Sequence, residues 1–137
     1  MKKLILLVSI CISVCLAPGC EYKKYPEGPL TTVFPAQDRI VNTWRWALAL
    51  EDGGNATGVL NDSTIQFLDN SMVLICPKDG EGECREGTWA LVTRNTKLNI
   101  IFGTTAQAFD IQRLTRSQAY LMSAETDSDT YWELEAL

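Results

Sequence analysis

Histidine is missing altogether from this 137-residue chain. Its absence removes the usual general base near neutral pH, every Ser-His-Asp or Cys-His arrangement, and the commonest zinc ligand. A pair of carboxylates could still work as acid and base, but no spacing of Asp and Glu points to one. The chain therefore reads as non-enzymatic, with no cofactor implied. Basic clusters are missing too: 12 Lys and Arg stand against 17 Asp and Glu, a net charge of −5. Nucleic-acid binding needs Lys- and Arg-rich faces against the phosphates, so that partner class is excluded. No apolar run reaches the roughly 20 residues of a membrane-spanning helix. Nor does any segment carry a convincing helical stripe, which leaves period-two patterns to define the fold.

The hydrophobic run that does exist lies at the front. Met1-Lys2-Lys3 is a short positive start, and Leu4 to Leu16 (LILLVSICISVCL) follows as thirteen residues without a charge. That length suits a secretory h-region, not a retained anchor. Ala17-Pro18-Gly19 then leads to Cys20. The arrangement resembles a bacterial lipoprotein signal, in which a peptidase cuts before an acylated cysteine. The chemistry needs a small residue before the cut, here Gly19, and a thiol at the new N-terminus, here Cys20. Cys11 and Cys15 follow the β-branched Ile10 and Val14 and should leave with the signal. Residues 1–19 are thus expected to be a lipoprotein signal peptide and Cys20 the lipidation site; an ordinary cleaved signal is the alternative. Several fatty-acyl chains of the palmitate kind on one cysteine suffice for lasting attachment, so the mature protein is expected to be anchored without spanning.

Processing also settles cysteine parity, because removing residues 1–19 and acylating Cys20 leaves Cys76 and Cys84. An extracytoplasmic compartment favours joining them across CPKDGEGEC (76–84), and a ring of that size contributes about 2.5 kcal/mol. Two free buried thiols are the alternative. Two thiols with no third ligand nearby make a poor metal cage.

Residues 21–38 (EYKKYPEGPLTTVFPAQD) hold three prolines and one glycine with no clear apolar period. With Cys20 they read as an extended tether, whose end near Phe34 and Pro35 could pack under the domain. From Arg39 the pattern changes to period two. RIVNTWRWALAL (39–50) puts Trp44, Trp46, Leu48 and Leu50 on one face and Thr43, Arg45, Ala47 and Ala49 on the other. STIQFL (63–68), SMVLIC (71–76), GTWALVT (87–93), KLNIIF (97–102), QAFDIQRL (107–114), QAYLMSA (118–124) and TYWELEAL (130–137) complete eight short strands separated by turns. The expected fold class is all-β: one domain over 39–137, a small eight-stranded up-and-down antiparallel barrel. Closure would remove both sheet edges. A sandwich is the competing arrangement.

The order of motifs resembles the lipocalin-like lipoproteins of Bacteroidetes. The matching parts are Cys20, KYPEGP (24–29), Arg39 shortly before NTWRW (42–46), GTW (87–89), and FDIQRLT (109–115) ahead of the last two strands. The likeness covers the mature chain. Lipocalins open with Gly-x-Trp, where this chain has Asn42-Thr43-Trp44. They often cover that tryptophan with an arginine of the last strand; here Arg39 and Arg113 are the substitutes. The resemblance implies a calyx for a small hydrophobic molecule and supplies no known activity. Residues 21–24 lack the paired acids associated with surface export in that phylum, so the periplasmic face of the outer membrane is expected.

Trp44, Trp46, Trp89 and Trp132 are the candidate ligand-binding residues, as an aromatic cage; plain core packing is the alternative. The acids of DGEGE (79–83) and TDSDT (126–130) miss the regular spacing of a calcium loop and read as solvated. Asp62-Ser63-Thr64 is similar to a short O-glycosylation sequence, or is an ordinary turn. Three functional readings follow. The first is a lipid-anchored barrel holding a small apolar ligand. The second is an accessory subunit of an outer-membrane complex with a fully packed barrel, which an interior filled by the tryptophans would favour. The third is an enzyme inhibitor using the 76–84 loop.

Overall fold

A computed structural model describes residues 21–22, 24–29 and 31–137. The expected signal peptide and the Cys20 lipidation site lie outside the described residues. Eight strands form the barrel: β3 (Asn42–Glu51), β5 (Ser63–Phe67), β6 (Met72–Pro77), β7 (Arg85–Val92), β8 (Lys97–Phe102), β9 (Thr105–Leu114), β10 (Gln118–Ser123) and β11 (Tyr131–Ala136). Each pairs antiparallel with the next, and β11 closes on β3, from Tyr131 opposite Leu50 to Ala136 opposite Trp44. The fold is therefore all-β, a closed up-and-down barrel. One extra strand, β4 (Gly54–Asn55), folds back on β3. Its two-residue turn is Asp52-Gly53, both at positive φ (49° and 79°), the geometry that matches strand twist and favours Asp-Gly. The minor pair β1 (Glu21–Tyr22) and β2 (Thr31–Thr32) stands apart.

Two short helices interrupt the expected strand pattern. α1 (Ala36–Ile40) takes Arg39 and Ile40 out of the first expected strand, and α2 (Thr57–Leu60) follows β4. Residues expected in the tether also belong to the packed unit. Tyr25 and Ala36 are in the buried core with Ile40. The sequence conceals this because a proline-rich segment has no period of its own; its anchors are single residues. Phe34 is partly exposed, under the Arg116 guanidinium at 5.0 Å.

Alternation holds on most strands. Ile65, Phe67, Trp89, Leu98, Ile100, Phe102, Phe109 and Ile111 all face the core as expected. On β3 it slips. Trp46 lies opposite Leu134 but Leu48 lies opposite Glu133, so Ala47 is an extra, bulged residue. A one-residue slip exchanges the faces. Beyond it Ala49, expected outside, is fully buried, while Leu48 and Leu50, expected inside, are only half-buried. The exchange puts a small side chain inward beside Trp132, with which Ala49 pairs.

The exterior is polar, with the cross-strand pairs Arg45–Glu135 at 2.5 Å and Lys97–Asp110 at 2.7 Å. Such exposed pairs contribute about 0–1 kcal/mol each. Cys76 and Cys84 are joined, and their loop is exposed at one rim of the barrel. Replacing both by serine should lower stability by about 2 kcal/mol, because the open chain regains loop entropy. Thermal unfolding checks this: a midpoint unchanged from the oxidised wild type would show that the ring adds nothing.

Candidate functional site

The barrel has two unlike ends. The floor is where β3 begins and β9 ends, and the N-terminal segment seals it. Leu121 pairs with Ile111 and Tyr120 with Arg113, which leaves Gln112 bulged on β9. Its carbonyl accepts the Glu27 N–H at 2.8 Å, and Gly28 O accepts from Leu114 N–H at 3.3 Å. Arg113 donates to Glu27 O at 2.7 Å. The Tyr25 hydroxyl donates to Asn95 O at 2.9 Å. Arg39, 2% exposed, donates to Leu114 O at 2.6 Å and lies over the Tyr25 ring. Thus KYPEGP and FDIQRLT, far apart in sequence, meet at this floor.

The opposite end is covered less firmly. α2 has no fully buried residue; Ala56 and Leu60 pack only partly against the core. Phe102, with the Arg85 guanidinium 4.4 Å above its ring, and Thr130 complete that rim.

All four candidate tryptophans are brought into one interior, but they divide into two pairs. Trp44 donates its indole N–H to Ile40 O at 2.9 Å, tying β3 to the end of α1. Trp89 donates to Leu68 O at 3.0 Å and meets Phe67 edge to face. These two fasten the lower half. Trp46 and Trp132 lie higher, edge to face with ring centroids 6.0 Å apart, and Trp132 also stacks at a tilt on Phe109. Among the described residues neither Nε1 has a hydrogen-bond partner, although both are buried. A buried donor left without an acceptor costs about 1–3 kcal/mol. Nothing in the tryptophan spacing foretold this division, since the partners are backbone carbonyls of distant turns.

The cavities described sit at the upper rim, around the 123–131 loop. The largest, about 290 Å³, lies among Met122, Glu125 and Tyr131. A second of about 130 Å³ is lined by Ile101 and Glu125, and a third of about 20 Å³ by Ser123 and Thr130. None of the three is lined by a tryptophan. The sequence reading missed this rim, whose only signal was the polar run between the last two strands. Among the described residues no three acids or thiols converge as a metal site.

Tyr131 borders the cavity of about 290 Å³, and burial, with a hydrogen bond to Glu133 at 3.1 Å, pushes its phenol well above the usual range. A raised folded-state pKa means that the phenol's contribution is complete below the unfolded value of about 10 and is lost as pH rises through the folded one. Alkaline absorbance titration should therefore show a late tyrosine ionisation to which Tyr131 contributes. Tyr131→Phe should reduce the amplitude of that late step by one tyrosine; an unchanged late amplitude would overturn the assignment.

No family model matches the sequence, and no curated protein matches it. Among solved structures, a lipocalin-like protein from Bacteroides uniformis ATCC 8492 superimposes with a TM-score of 0.57 at 14% sequence identity, over 72% of this chain and 99% of that one. The fold is lipocalin-like. At that identity the likeness concerns architecture alone. Within the lipocalin-like frame, Trp44 stands near the start of the first barrel strand. The two arginines considered as its cover, Arg39 and Arg113, hold the N-terminal segment against β9.

Proposed function

We propose that this is a non-enzymatic lipoprotein, tethered to the outer membrane through acylated Cys20 on its periplasmic face, whose barrel binds a small hydrophobic ligand. The observation that carries the binding half is the pair of unpartnered indole donors inside an otherwise apolar lumen. A fold that wanted only a packed core has no use for them. None of the three cavities described is lined by a tryptophan, so a ligand gains room by displacing side chains at the α2 end, where the cover is thin, and not at the floor. Lipid anchoring rests on the signal-like front of the sequence.

The burial of all four tryptophans in one core cluster supports a second reading, an accessory subunit of an outer-membrane complex. One preparation separates the two. Protein purified from membranes, analysed intact by native mass spectrometry, should carry both the acyl mass on Cys20 and a co-purified small molecule released by solvent. Acyl mass without any releasable ligand, across repeated preparations, favours the accessory subunit. A processed chain lacking acyl mass removes the anchor, and Cys20→Ala should shift the protein from the detergent phase to the aqueous one.

A further inference from the structure

The two free donors say more than that the lumen takes a ligand. Trp46 and Trp132 stand on adjacent strands at 1% and 4% exposure, without a partner for either Nε1 among the described residues. Their edge-to-face packing can direct one N–H at the other ring but not both, and such a contact is weak beside N–H···O. Around them are Ala49, Phe109, Leu121 and Leu134, all apolar. Among the described residues the only buried polar or charged side chains are Arg39 and Thr130. Arg39 is engaged at the floor with Leu114 and Tyr25. Thr130 shares a hydrogen bond with Ser128. The upper loop carries Glu125, Asp127 and Asp129, all exposed.

This set of groups discriminates between ligand chemistries. A hydrocarbon leaves both donors unsatisfied. An ionised carboxylate would meet Arg85 at the rim, over the Phe102 ring, but deeper in it would lose its hydration with no cation beside the two indoles, which is the costliest burial of all. A neutral carbonyl oxygen has two lone pairs, one for each indole, and little hydration to lose. We infer that Trp46 and Trp132 are the specificity pair of the lumen, selecting a small apolar molecule that carries a neutral ketone, ester or amide oxygen. Trp44 and Trp89 take no part, because their donors are committed to Ile40 and Leu68. The inference rests on the ligand-binding reading and adds to it the polar group that is read and the residues that read it.

Three probes of nearly equal size test it: acetophenone, ethylbenzene and benzoate, titrated into the purified processed protein carrying ¹⁵N-labelled tryptophan. Acetophenone should bind on the order of tenfold more tightly than ethylbenzene, the worth of one or two hydrogen bonds, with benzoate weakest. Two of the four indole N–H resonances should move downfield with acetophenone only, and Trp46→Phe and Trp132→Phe should each delete one of them. Either variant should bring acetophenone towards ethylbenzene while leaving ethylbenzene binding in place. Should a variant fail to fold, the wild-type resonances decide alone. Ethylbenzene binding as tightly as acetophenone overturns the inference and leaves the ligand-binding reading standing. So do indole resonances already hydrogen-bonded in the free protein, to trapped water, and unmoved by the ketone. Failure of all three probes to bind counts against the ligand-binding reading itself.

Discussion

Trp44→Ala is expected to destabilise the protein by about 4 kcal/mol, lowering its thermal midpoint by about 15 °C. The indole is wholly buried in the lower barrel, so truncation opens a large void that the closed ring of strands cannot collapse to fill. It also strips Ile40 O of its donor, at the end of a five-residue helix that has few other bonds to hold it. A domain of this size has about 5–15 kcal/mol in total, so the loss is a large part of the whole. Trp44→Phe separates the two contributions: it keeps most of the volume and loses only the hydrogen bond, for about 1 kcal/mol. Val59→Ala, at a side chain 82% exposed on α2, should change almost nothing. Chemical denaturation measures all three. A Trp44→Ala protein within 1 kcal/mol of wild type would mean that the floor is not closed by this residue.

Legibility from sequence followed periodicity. Where a strand is regular, as in KLNIIF or STIQF, every second residue gave its own face away. The phase slip at Ala47 could not be read, because Leu48 and Leu50 continue the apolar alternation that the bulge interrupts. Gln112 is the same case: an ordinary strand residue by pattern, whose carbonyl leaves the ladder to hold Glu27. The N-terminal seal escaped for a different reason. Tyr25 and Ala36 are isolated anchors in a segment without a period, and neither carries a positional signal of its own. As for the tryptophans, the sequence offered all four alike, as an aromatic cage or as plain core packing. Their division into bonded and unbonded donors depends on turn carbonyls at Ile40 and Leu68, positions that only the folded register brings near.

Gly87→Ala should cost about 2–3 kcal/mol, a large effect for one added methyl group. Gly87 lies on β7, directly before the Thr88–Ile101 pairing with β8. A Cβ there would fall 2.3 Å from Ile101 O and 2.6 Å from Phe102 Cδ1. The carbonyl cannot retreat without carrying β8 along, and the Phe102 ring is held beneath Arg85. Opposing this, alanine loses less backbone entropy on folding, a gain of about 0.4–1 kcal/mol. The clash is the larger contribution. Gly58 provides the control, since a Cβ at that position in α2 meets nothing within 4 Å. Gly58→Ala should therefore leave stability level or raise it by up to about 1 kcal/mol. Urea unfolding of both variants gives the comparison, and the idea fails if the two curves coincide. The outcome bears on the glycine of Gly87-Thr88-Trp89: its space is taken by the neighbouring strand and ring, which is what lets β8 come close enough for Phe102 to cover the rim above Trp89.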